Sequence, residues 1–139
     1  MVNTTNFTKD NKVGEIAETM VLSMIKKKYP KAFKVSGNFE PYDIYVPEKG
    51  IKVEVKYDVR SHETGNVFIE TLFNGKPSGI KTSEADVWVI YDGFYRYWVA
   101  TETLRWLLPQ GEKITTRISG NLLQGVLLKV PLLELWTPN

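Results

Sequence analysis

Ile51-Lys52-Val53-Glu54-Val55-Lys56-Tyr57 alternates apolar or aromatic residues with charged ones along its whole length. Period-two alternation marks a β-strand, in which successive side chains point to opposite faces. Ile51, Val53, Val55 and Tyr57 therefore share one face, and Lys52, Glu54 and Lys56 share the other. Glu54 and Lys56 become neighbours on one side of a strand, roughly 7 Å apart at Cα. A carboxylate can hold a divalent cation there while an ammonium sits beside the same site.

Upstream, residues 42–46 alternate again and end at Pro47, and Glu48-Lys49-Gly50 reads as a tight turn. The two runs form a hairpin that brings Asp43 alongside Glu54. Two adjacent carboxylates repel each other, and a hard cation relieves the repulsion. Magnesium suits such a pair because it takes oxygen ligands and keeps several waters. Phosphodiester hydrolysis uses these parts: the metal polarises a phosphoryl oxygen and acidifies water, while Lys56 orients that water or offsets charge on the phosphate. A second acidic-x-Lys triplet, Asp10-Asn11-Lys12, has no such setting.

The rest of the chain reads as one α/β domain. It has 139 residues, enough for a single core. Residues 1–10 look like a flexible polar arm. From Asn11 to Tyr29 the apolar residues Val13, Ile16, Ala17, Met20, Val21, Met24 and Ile25 fall at helical spacing, and Pro30 ends the run. Residues 33–35 make a weak strand, and residues 67–72 another. Residues 80–85 read as a short helix or helical turn, and residues 87–91 as a central strand. Asp92-Gly93 turns the chain back into a strand over 94–100. Thr101 caps a helix through Leu108, closed by Pro109. Residues 127–130 are expected as a strand ended by Pro131. This order predicts a mixed central sheet flanked by helices.

Composition narrows the function classes. No cysteine is present, which excludes a disulfide scaffold and a thiolate metal site. The net charge of +2 does not by itself announce a nucleic-acid binder. No apolar stretch is long enough to span a membrane, and residues 1–10 lack the apolar core of a signal peptide, so a cytoplasmic protein is expected.

Pro41-Tyr42-Asp43 followed by Glu54-Val55-Lys56 resembles the PD-(D/E)XK nuclease superfamily. The resemblance covers roughly residues 13–91. It implies a restriction-endonuclease-like α-β-β-β-α-β core: a helix, a three-strand antiparallel meander, a helix and a further strand. It also implies a Mg2+-dependent DNA endonuclease, with Mn2+ able to substitute. The family's two acidic positions fall on Asp43 and Glu54 and its lysine on Lys56; Pro41 departs from the pattern by standing one residue away from Asp43. Many members carry a glutamate on the first helix, and here Glu15 and Glu18 match, with Glu18 favoured. Glu70 is a further candidate in the metal shell. Within the superfamily the chain looks like small phage-type and Holliday-junction-resolvase-like endonucleases. Lys76, Ser78, Lys81, Thr82, Ser83 and Arg60 are then expected at the DNA backbone.

Other features stay open. His62, the only histidine, is either a general base or a bystander. The aromatic run Trp88, Tyr91, Phe94, Tyr95, Tyr97 and Trp98 serves either base stacking or packing. The C-terminal extension, residues 112–139, either completes the core or makes a homodimer contact. Two alternatives stand beside the nuclease: a non-catalytic nucleic-acid-binding module of the same fold, and an interaction domain in which the triplet is accidental.

Overall fold

A computed structural model describes residues 4–35 and 42–137, with side chains described from Gly14 onward. Val13, Pro41 and the Asp10-Asn11-Lys12 triplet fall outside those limits. In chain order the elements are α1 (Thr4–Lys28), β1 (Phe33–Lys34), β2 (Ile44–Val46), β3 (Ile51–Tyr57), α2 (Arg60–Thr64), β4 (Asn66–Phe73), β5 (Lys76–Pro77), β6 (Val87–Tyr91), β7 (Arg96–Ala100), α3 (Thr101–Leu107), β8 (Glu112–Ile118), β9 (Asn121–Lys129) and α4 (Val130–Trp136). A 3-10 turn at Gly79–Lys81 precedes β6. The described residues thus form a mixed α/β structure with four α-helices and two sheets.

The first sheet has strand order β1-β2-β3-β6-β7. β1, β2 and β3 are antiparallel neighbours, with Ile44 facing Val53 and Val46 facing Ile51. Continued one residue, that register sets Asp43 opposite Glu54. β6 lies parallel to β3, pairing Glu54 with Trp88 and Lys56 with Ile90, and β7 returns antiparallel.

The alternation in β3 sorts its side chains as its sequence predicts. Val53 and Val55 are buried on one face beside Ile44, Val46 and Val89. Ala17, Val21 and Ile25 of α1 pack there, at i, i+4 and i+8. Ile16, expected in the same stripe, is 61% exposed, because it lies about 100° round the helix from Ala17. The helix also begins earlier than Asn11, at Thr4. Once a packed segment has nucleated a helix, adding a residue is cheap, and no proline stands before Gly14 to stop it.

The opposite face builds a second core. Trp88, Ile90, Tyr97 and Val99 meet Val67, Ile69, Val126 and Leu128 of the second sheet, closed by Leu104, Leu107 and Leu133 of the helices. That second sheet, β5-β4-β9-β8, corrects the expectation of one central sheet. Residues 67–72, read as a strand of the main sheet, instead pair with β9, Val67 opposite Leu128 and Ile69 opposite Val126. A parallel β3–β6 pair requires a crossover. Here that crossover holds the five-residue α2 and the strand β4, and β4 finds its partner far along the chain.

Residues 112–118 and 121–129 form a hairpin, and Pro131 opens α4 where it was expected only to end a strand. Proline suits a first helical turn, whose N–H groups have no intrahelical partner. Val126, Leu128 and Leu133 are buried, so the C-terminal extension completes the core. Leu135 and Trp136 remain exposed. No helix among the described residues is long and apolar enough to cross a membrane.

Candidate active site

Asp43 stands at the mouth of the β2–β3 hairpin. Its backbone N–H donates to the Val53 carbonyl, and its own carbonyl accepts from Val35 N–H, so it is held between β1 and β3. Its side chain is fixed as well: Val55 N–H donates to Asp43 Oδ2 at 2.8 Å. The carboxylate is thereby hydrogen-bonded to the residue between Glu54 and Lys56.

Glu54 and Lys56 share the face that looks toward the second core. Lys56 Nζ lies 3.1 Å from Glu54 Oε1 and 5.4 Å from the Trp88 ring centroid. Glu18 reaches the same place from α1. It pairs with Lys34 Nζ at 3.3 Å and comes within hydrogen-bonding reach of Asp43. Glu15 is exposed, so of the two helix glutamates it is Glu18 that meets Asp43. Lys34 was not anticipated as a member of this group; its only signal was a place in a lysine-rich stretch.

The electrostatics follow from crowding. Burial pushes Glu18 above the ordinary carboxylate range, the Asp43 charge pushes it further, and Lys34 pulls it back. Asp43 is raised by burial and by the Glu54 charge, against the Val55 N–H and Lys56. Burial raises Glu54 too, opposed chiefly by Lys56. Burial works against the Lys56 ammonium, but Glu54, Asp43 and Glu70 outweigh it and the group ends above its usual value. Three carboxylates are thus held where each asks for a proton or a cation.

Glu70 belongs to the second sheet. Its charge is near enough to act on Lys56. Among the described residues no three Asp, Glu, His or Cys side chains converge closely enough to enclose a metal ion. The donor set still fits magnesium in kind, since it is wholly carboxylate oxygen, and Mg2+ is commonly held by one or two carboxylates with waters completing its shell. Asp43, Glu54 and Glu18 are the residues that would hold it.

The expected DNA contacts divide. Lys76, Lys81, Thr82 and Arg60 are exposed. Ser78 and Ser83 turn inward: Ser78 Oγ is buried with no hydrogen-bond partner among the described residues, and Ser83 Oγ accepts from Trp88 Nε1 at 2.9 Å and from Ala85 N–H at 3.3 Å. Lys81 borders a cavity of about 480 Å³ that it shares with Lys113, Thr115 and Gln124. Arg60 edges a different apolar groove, with Phe68, Ile118 and Leu127.

His62 approaches a carboxylate that its sequence position did not foretell. Its Nδ1 lies 3.7 Å from Oδ2 of Asp92, a residue buried in the β6–β7 turn. The aromatic run splits by burial: Trp88 and Tyr97 lie in the core, while Phe94 and Tyr95 are exposed. Comparison with known proteins returned no match, whether to a protein-family model, a curated protein or a solved structure.

Proposed function

We propose that this chain is a divalent-metal-dependent endonuclease that hydrolyses DNA phosphodiester bonds, with a core of the PD-(D/E)XK kind. The observation that carries the proposal is the Asp43–Val55 hydrogen bond, which ties one carboxylate between a second carboxylate and a lysine. The order of the first sheet supports it: a helix, a three-strand antiparallel meander, a crossover and a further strand. The crossover departs from the family pattern, because its helix is only Arg60–Thr64.

In this reading Asp43 and Glu54 would hold Mg2+, Glu18 would support them from α1, and Glu70 would be an outer carboxylate. When bound, Mg2+ or Mn2+ supplies Lewis acidity toward a phosphoryl oxygen and toward water. Lys56 exchanges its contact with Glu54 for the attacking water or a phosphate oxygen, where its charge offsets what builds in the transition state. Lys76, Lys81, Thr82 and Arg60 meet the DNA backbone. Branched or otherwise structured DNA is the proposed substrate, and two copies acting together would suit paired cuts.

A second reading, a non-catalytic DNA-binding module with this fold, is favoured by one observation: among the described residues no three ligand side chains converge. The test is cleavage of four-way junction, flap, duplex and single-stranded DNA in Mg2+ and in EDTA, by wild type and Lys56→Ala. Mg2+-dependent cutting that falls about 10²–10³-fold in Lys56→Ala supports the nuclease. Salt-sensitive binding without cutting supports the binding module. Equal cutting by Lys56→Ala removes Lys56 from the mechanism.

A further inference from the structure

The turn between β6 and β7 presents aromatic rings to solvent on a rigid frame. Asp92, 1% exposed, organises it. Its Oδ1 accepts the N–H groups of Phe94 at 2.7 Å and Tyr95 at 2.6 Å, its own N–H donates to the Tyr95 carbonyl, and the Tyr97 hydroxyl reaches Oδ2 at 3.5 Å. Gly93 supplies the positive φ that the reversal needs. A buried carboxylate used in this way fixes the direction in which the next two side chains leave the backbone.

Those side chains are Phe94, 68% exposed, and Tyr95, 63% exposed. His62 of α2 stacks on Phe94, with centroids 4.1 Å apart and planes 26° apart, and lies 6.3 Å from the Tyr95 ring. Phe94 therefore has one ring face on His62 and keeps the other toward solvent. Large aromatics held outside the core carry a hydration cost that core packing does not explain, and a π-face that accepts any nucleobase.

The position is as telling as the chemistry. Lys56 pairs with Ile90, and Asp58 N–H donates to the Tyr91 carbonyl, so the turn at Asp92 begins just beyond Lys56 on the neighbouring strand. The offset along the sheet from the level of Lys56 is roughly 7 Å.

We infer that Phe94, His62 and Tyr95 form a stacking platform for an unpaired nucleobase close to the scissile phosphate, so that the preferred substrate carries single-stranded nucleotides at the cut. This rests on the nuclease reading. Because Asp92 holds the rings in place before binding, little side-chain freedom is lost when a base stacks.

The test uses the full chain in EDTA, with single-stranded DNA containing 2-aminopurine and the matching duplex as probes. Phe94→Ala is expected to weaken single-strand binding roughly 5–100-fold, to abolish quenching of the fluorescent base, and to leave duplex binding within about twofold. Phe94→Tyr is expected to restore both signals and Phe94→Leu neither. Equal loss on single strand and duplex, no loss, or full rescue by leucine overturns the platform, as does a wild-type dimer that Phe94→Ala makes monomeric. If the platform fails while Lys56→Ala still abolishes Mg2+-dependent cutting, the nuclease reading stands alone. If base quenching holds while wild type never cuts, the nuclease reading fails and takes with it the platform's place at a cut, leaving base stacking alone.

Discussion

Asp43 and Val55 are joined by a side-chain-to-backbone hydrogen bond of 2.8 Å. The bond settles where the carboxylate sits. It crosses from the residue just before β2 to the middle of β3, so any motion of the hairpin moves Asp43 with Glu54 and Lys56. It also offsets only part of the carboxylate's crowding, since Asp43 remains above its ordinary value through burial and the Glu54 charge.

Asp43→Asn keeps an oxygen for Val55 N–H and removes the charge. We expect the metal-free protein at neutral pH to melt a few degrees higher than wild type. The same variant should lose both Mg2+-dependent stabilisation and cleavage. Thermal melts with and without Mg2+ check this; a lower melting temperature in EDTA would show that the carboxylate stabilises the fold and does not strain it.

Stability should depend on pH in a defined direction. Glu18, Asp43 and Glu54 all lie above the usual carboxylate range in the folded protein. The native state then holds protons that the unfolded state has released, so stability falls as pH rises. The contribution is fully present below the unfolded carboxylate range, about pH 4, and is lost as pH climbs through the raised folded values. Melts in EDTA from about pH 4 to about pH 8 should show this local decline. Mg2+ at neutral pH should reverse part of it, because a ligand that binds only the native state stabilises that state. A pH profile unchanged in Asp43→Asn would detach the effect from this cluster.

Gly79 has φ +56°, and a Cβ there would fall 2.9 Å from Glu70 Cβ and closer still to the Glu70 carbonyl oxygen. Gly79→Ala should therefore cost about 1–3 kcal/mol. Urea denaturation should show a lower midpoint with an unchanged slope. Because the Glu70 charge acts on Lys56, cleavage should fall as well. Wild-type stability would mean that the 3-10 turn shifts away from β4 without cost.

Leu133 is fully buried in α4 against the second core. Leu133→Ala should destabilise the domain by about 2–5 kcal/mol. Leu135, 78% exposed on the same helix, is the control, and Leu135→Ala should change stability by no more than about 0.5 kcal/mol. Equal effects would show that α4 is not docked as described.

Local pattern alone determined a good deal of this protein. The alternation of Ile51–Tyr57 assigned Glu54 and Lys56 to one face, because a strand's side-chain period is two. The turn at Glu48-Lys49-Gly50 set the register that puts Asp43 beside Glu54. The α1 stripe, apart from the exposed Ile16, and the Asp92-Gly93 turn were equally legible, since each depends on residues a few positions apart. Tertiary structure alone decided the rest. That β4 would join β9 in a second sheet was not legible, because the pairing links residues from Phe73 and Leu123 to Asn66 and Lys129, far apart in the chain, and no local periodicity encodes which distant edge a strand will meet. Burial likewise separated Phe94 and Tyr95, in the β6–β7 turn, from Trp88 and Tyr97 on the strands that flank it. Lys34 joined Glu18, and His62 met Asp92, only once packing had brought separate elements together. Strand alternation says which residues face the same way; only packing decides what they face.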